Sequence, residues 1–186
     1  MSGAVVVLDV DGVLATDPAL AGGAQALVEL GYVSHEFDGL GPDGRPATGT
    51  VWLNLDHGSW LRELTDRGAE LAWATSWGIR AVDWIAPRLG LPEMHVIDVP
   101  NHGPAFGWSP KMSPIKKWAA GRPVAWLDDQ FGGKEYGWAD DRRDEDGIPT
   151  LIVPVGSARG LLRQHVDEVL GWLDTDVAAH LDKEGR

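Results

Sequence analysis

Short apolar runs, each closed off by acids, glycines or prolines, recur along this chain and set its rhythm. Ala4 to Leu8 (AVVVL), Glu70 to Thr75 (ELAWAT), His95 to Val99 (HVIDV), Pro123 to Leu127 (PVAWL) and Thr150 to Val155 (TLIVPV) each read as a strand. The first is apolar throughout and β-branched at three successive positions, the pattern of a strand buried on both faces and hence of a parallel sheet. Between the strands lie segments of helical character: Ser59 to Arg67, Ile79 to Leu89, Pro114 to Ala120, Lys134 to Arg143, and Ala158 to Leu173 behind a capping Ser157. Alternating strand and helix predicts an α/β fold built on a five-stranded parallel sheet.

One segment breaks the alternation. Gly31 to Asn54 carries GLGPDGRPATGT between YVSHEF and TVWLNL, which reads as a long hairpin inserted between the first strand and its crossover helix. At 186 residues the chain reads as a single domain, 1–186, with this flap over about residues 31–56. The tail after Asp174 is polar and is expected to fray.

Charge and composition narrow the function classes. Lys and Arg number 16 against 28 acids, a formal charge of -12, which disfavours diffuse attachment to nucleic acid or to an anionic membrane. There is no cysteine, so disulfides and thiolate metal sites are excluded. The first strand starts at about the fourth residue, leaving no room for a signal peptide, and no apolar run approaches ~20 residues. The expectation is a cytoplasmic protein with no membrane span. Ten tryptophans are expected mostly in the core or in pocket walls.

Candidate chemistry sits at the strand ends, where ligands bind in open parallel sheets. LDVDGVL places Asp9 and Asp11 directly after the first strand, and side chains two apart on an extended chain point the same way. Asp128 and Asp129, in AWLDDQ, repeat the arrangement after the fourth. Thr75 and Ser76 end the second in LAWATSW and offer hydroxyls and an N–H, although both could instead cap the next helix. Lys111, in SPKMSP, precedes Ser113 and Pro114, a capping residue and a proline suited to a helix start; Lys116 is the other lysine considered for the same role. A carboxylate can serve as a covalent nucleophile toward phosphorus if a hard cation and hydrogen-bond donors offset the repulsion between two anions. Mg²⁺, an oxygen-seeking ion that keeps several waters, suits that role. His57, in LDHGSW, begins the crossover helix on the side of the flap and is a further candidate. His95 and His102 show no metal-ligand spacing, so zinc is not indicated. The acids from Asp140 to Asp146 read as a solvated helix face, and Arg159 as a surface residue.

In that order, LDVDGVL, a strand ending in Thr, a Lys before a helix and a strand ending in Asp-Asp resemble the haloacid dehalogenase superfamily over essentially the whole chain. The resemblance implies a Rossmann-like three-layer sandwich, with Asp9 as nucleophile and Asp11 as general acid and base. It implies Thr75 and Lys111 on the transferred phosphoryl group, and Mg²⁺ held by Asp9, the Asp11 carbonyl and Asp128. LNLDHGSWLREL, WATSWGIRAVDWIAPRLGLPE and RPVAWLDDQ further resemble the haloacid-dehalogenase-type domain of Swiss Army Knife RNA repair proteins. The fourth motif departs from the wider superfamily in being Asp-Asp, which puts Asp129 among the candidates. The flap is too short for a large cap domain, which implies an open site.

The implied activity is a Mg²⁺-dependent phosphomonoesterase working through an aspartyl-phosphate, with nucleotide or nucleic-acid-end phosphates as implied substrates. The alternatives are a small-metabolite phosphatase, a phosphotransferase, and a non-catalytic binding module on the same fold.

Overall fold

Residues 3–41, 44–100 and 109–185 are described in the structure, a computed structural model. The chain runs through β1 (Val5–Leu8), α1 (Pro18–Ala21), α2 (Ala24–Glu29), β2 (Tyr32–Leu40), β3 (Pro46–Asn54), α3 (Asp56–Asp66) and β4 (Glu70–Trp73). A π-helical turn, Ala81–Ile85, leads into α4 (Ala86–Leu89), followed by β5 (His95–Val96), α5 (Met112–Ala119), β6 (Val124–Asp128), α6 (Gly133–Asp144) and β7 (Thr150–Pro154). After β7, α7 (Arg163–Trp172) passes through a second π-helical turn, Leu173–Val177, into α8 (Ala178–Glu184).

Five strands form one parallel sheet in the order β5-β4-β1-β6-β7, with Val5 in register with Glu70 on one side and Val124 on the other. Every residue of β1 is buried, because alternate side chains feed two separate cores. Val6 and Leu8 pack with Leu61 and Leu64 of α3 and Val166 and Val169 of α7, whereas Val5 and Val7 pack with Ile115 and Ala119 of α5 and Trp138 of α6. Helices therefore cover both faces, giving three layers. Each such Val or Leu contributes about 1.5–3 kcal/mol of burial. The chain moves outward from β1 to β4 and β5, then crosses back to β6 and β7. That reversal opens a crevice at the carboxyl ends of β1 and β6.

The insert is the antiparallel hairpin β2–β3, paired from Tyr32 with Asn54 to Leu40 with Pro46; its tip residues Pro42 and Asp43 lie outside the described residues. Phe37 packs edge-on against Trp77 and Trp84, with ring centroids 5.4 and 5.3 Å apart, and Arg80 Nη1 donates to Leu40 O at 2.7 Å. At the base, Tyr32 Oη donates to Arg159 O at 3.0 Å. No larger cap is present among the described residues.

Three expectations need correction. The tail does not fray after Asp174: helix continues to Glu184, because Leu173, Val177 and Leu181, spaced by four, lie against the core. The helix expected from Ala158, α7, starts at Arg163. The residues before it pack against the loop after β1, where Leu161 N donates to Val13 O at 2.7 Å and Gly160, at φ +64°, leaves no room for a Cβ beside Thr16 and Tyr32. Two short helices of four and six residues between β1 and the hairpin are too brief to show a helical period, although Asp17, whose Oδ1 accepts Ala19 N at 2.8 Å, and Pro18 are an ordinary helix start. Among the described residues, no helix is long and apolar enough to cross a membrane.

Candidate active site

Asp9 continues the ladder beyond β1, its N–H donating to Leu127 O at 3.2 Å, so its side chain is fixed beside the end of β6. Its Oδ1 accepts the Val10 N–H at 2.7 Å and its Oδ2 accepts Lys111 Nζ. Asp128, the last residue of β6, is also buried. Its Oδ2 accepts Lys111 Nζ at 2.7 Å and the Trp126 indole N–H at 3.1 Å, and its Oδ1 accepts Gln130 N at 3.1 Å. One ammonium thus bridges two buried carboxylates. Burial pushes the Asp128 carboxyl up to about 6; Lys111 opposes this and Asp9 adds to it. Burial works against the Lys111 charge, but Asp9 and Asp128 outweigh it and hold its pKa above the ordinary lysine value.

Asp129 completes the cluster. Oxygen atoms of Asp9, Asp128 and Asp129 all lie within 4.8 Å of one another. Its approach depends on Gly12, whose φ of +75° suits glycine and where an added Cβ would stand 2.5 Å from Asp129 Oδ2. Three carboxylates facing one ammonium leave an excess of negative charge on oxygen donors. That donor set fits a hard divalent cation such as Mg²⁺.

Asp11 takes a different partner. The chain turns sharply after Asp9, with Val10 O accepting from Val13, Leu14 and Ala15, and both Asp9 and Asp11 line the same crevice. Asp11 Oδ1 accepts the Trp77 indole N–H at 3.0 Å. The residue reaches the surface, yet the crevice walls around its carboxyl raise its pKa; the Trp77 bond works against that rise and the charge of Asp9 adds to it.

Ser76 lines the crevice, whereas Thr75 is buried beneath it, its hydroxyl accepting Trp77 N at 3.4 Å. Of the two lysines considered, Lys111 reaches the carboxylates and Lys116 lies over the Trp138 ring, 5.6 Å from its centroid. His57 is fully buried and does not line the crevice: its Nε2 bonds Leu161 O at 3.0 Å and its ring meets Tyr32 edge-on at 5.6 Å. Burial lowers its pKa to about 4, against the pull of the Leu161 carbonyl. His57 is therefore a packing group under the base of the hairpin. His95 stacks on Trp118, and His102 lies outside the described residues. Asp140, Asp141, Asp144, Glu145 and Asp146 are exposed, as is Arg159.

The crevice encloses about 1230 Å³, far more than a phosphate needs, and its lining includes Trp52, Trp77 and Phe131 beside the charged groups. No local pattern in the sequence marks Trp77, Trp52 or Glu135 as site residues; the count of ten tryptophans is the one signal of apolar pocket walls. No family model matches the chain, and neither does any curated protein.

Proposed function

We propose that this chain is a Mg²⁺-dependent phosphohydrolase of the haloacid dehalogenase superfamily, working through an aspartyl-phosphate. The observation that carries the reading is the bridge from Lys111 Nζ to both Asp9 and Asp128, with Asp129 alongside, at the point where the sheet reverses direction. A nucleophilic carboxylate, a cation for phosphoryl oxygens and a set of oxygen donors for a metal meet there.

In the first step an Asp9 oxygen attacks phosphorus, the ester P–O bond breaks, and Asp11 gives its proton to the departing oxygen. The raised pKa of Asp11 favours the protonated form that this requires. In the second step Asp11 takes a proton from a water that attacks phosphorus, and the bond to Asp9 breaks to release phosphate. Lys111 neutralises charge on the phosphoryl oxygens, and Ser76 offers further donors at the crevice wall. Asp9 and Asp128, with Asp129 beside them, would hold a Mg²⁺, which would supply Lewis-acid neutralisation of the phosphoryl charge.

The size and aromatic lining of the crevice support a substrate whose leaving group is bulky and flat, as in a nucleotide or a phosphorylated nucleic-acid end. The charge of -12 favours a single nucleotide or a chain end over a long polyanion. Hydrolysis of p-nitrophenyl phosphate with and without Mg²⁺, beside Asp9→Asn, tests the chemistry. Release by the wild type only, and only with the metal, is expected. Absence of release under both conditions would leave a non-catalytic binding module. A panel of nucleotides, 3′- and 5′-phosphorylated oligonucleotides and sugar phosphates then tests the substrate.

A further inference from the structure

Glu135 is a buried carboxylate, 1% exposed, that takes no part in the chemistry proposed above. A buried carboxylate is costly unless its oxygens are satisfied. Here two backbone amides from two different loops satisfy it: Ser109 N donates to Oε1 at 3.0 Å, and Gly132 N donates to Oε2 at 2.9 Å. Gly132 belongs to the loop that leaves β6 with Asp128 and Asp129, and Ser109 to the segment leading into α5. From Ser109 the connection runs on, because its Oγ accepts the Lys111 N–H at 3.3 Å. Hydrogen bonds therefore lead from Glu135 to the backbone of Lys111, whose ammonium bridges Asp9 and Asp128. Glu135 stands at the third position of α6, within the first turn, where a carboxylate is also favoured by the helix dipole.

We infer that Glu135 is a positioning residue that pins the Lys111 segment to the loop after β6 and so sets where the Lys111 ammonium stands over Asp9 and Asp128. Its kinetic consequence rests on the phosphohydrolase reading; the tether itself does not. A flexible lysine stem can reach two carboxylates from many backbone positions, and only a fixed backbone holds it where it also meets a phosphoryl oxygen.

The test uses the full chain carrying Glu135→Ala, Glu135→Gln, Lys111→Ala and the pair Glu135→Ala with Lys111→Ala. With p-nitrophenyl phosphate as substrate and inorganic phosphate as competing product, Glu135→Ala is expected to raise KM and the phosphate inhibition constant about tenfold. Glu135→Gln keeps one acceptor and should recover part of the loss. In the Lys111→Ala background the same Glu135 change should alter phosphate inhibition less than about twofold, since a residue acting through Lys111 has nothing left to position. Amide exchange should accelerate at Ser109, Lys111 and Gly132 in Glu135→Ala while amides of β1 and β6 keep their rates. Equal losses in both backgrounds, or unchanged exchange at Ser109 and Lys111, would overturn the inference. Should the wild type show no turnover, the phosphohydrolase reading falls and the exchange rates alone decide the tether.

Discussion

The indole N–H of Trp77 donates to Asp11 Oδ1 at 3.0 Å, tying the loop after β4 to the loop after β1. Trp77 is itself held by Trp84, stacked at 5.9 Å, and by Phe37 of the hairpin at 5.4 Å. Trp77→Phe keeps an aromatic ring and loses the donor. We expect kcat to fall about tenfold for alkyl phosphates and only a few-fold for p-nitrophenyl phosphate, because a poor leaving group needs the Asp11 proton more. Equal losses on the two substrates would show that the bond does not orient the acid.

Asp9→Asn should reduce kcat by roughly three or more orders of magnitude, since an amide cannot act as nucleophile. The fold should survive, because β1 is held by the cores on its two faces and not by this side chain. Steady-state kinetics with a thermal melt check both halves.

Chelation should abolish turnover and Mg²⁺ should restore it, with Ca²⁺ restoring it poorly because its larger, looser shell misplaces nucleophile and phosphate. Mg²⁺ should also raise the melting temperature, as it relieves repulsion among Asp9, Asp128 and Asp129. A melting temperature indifferent to Mg²⁺ would argue against this donor set.

His57 links stability to pH. Burial holds its folded pKa at about 4, below the unfolded value near 6.5, so between those two values the unfolded chain binds the extra proton. Its neutral form is accommodated at no protonation cost above about pH 6.5; as pH falls toward about 4, about 3 kcal/mol of stability is lost. His57→Gln cannot titrate and can still donate to Leu161 O. Denaturant unfolding of both proteins from pH 7 to pH 4 should show the variant losing less, with the difference confined to that window.

Trp52, on β3 and in the crevice lining, tests the flat leaving group. Trp52→Ala should raise KM about tenfold for a nucleoside monophosphate and leave KM for a small sugar phosphate within about twofold, as loss of one base-stacking contact predicts. The same shift for both substrates would mean that Trp52 only supports the hairpin.

From the sequence alone, the architecture followed from pattern: a run such as Ala4 to Leu8, apolar throughout and β-branched from Val5 to Val7, suits a strand buried on two faces, and the segments between such runs have helical character. Asp9, Asp11, Asp128, Asp129, Thr75, Ser76 and Lys111 were legible as candidates because each ends or follows a strand or precedes a helix, positions that point chemistry to one edge of a parallel sheet, although only the fold shows that Thr75 is buried beneath the crevice. Local pattern stops where long-range contact begins. That Lys111 and not Lys116 meets the carboxylates, that Asp11 turns to Trp77, and that His57 is sealed against Leu161 depend on partners distant in sequence. Glu135 in sequence is one acid in a polar helix; it becomes a clasp between two loops only because the sheet order sets α5 and α6 on the same face. Side-chain partners are settled by packing across the fold, and a periodicity of two or of 3.6 residues carries no record of them.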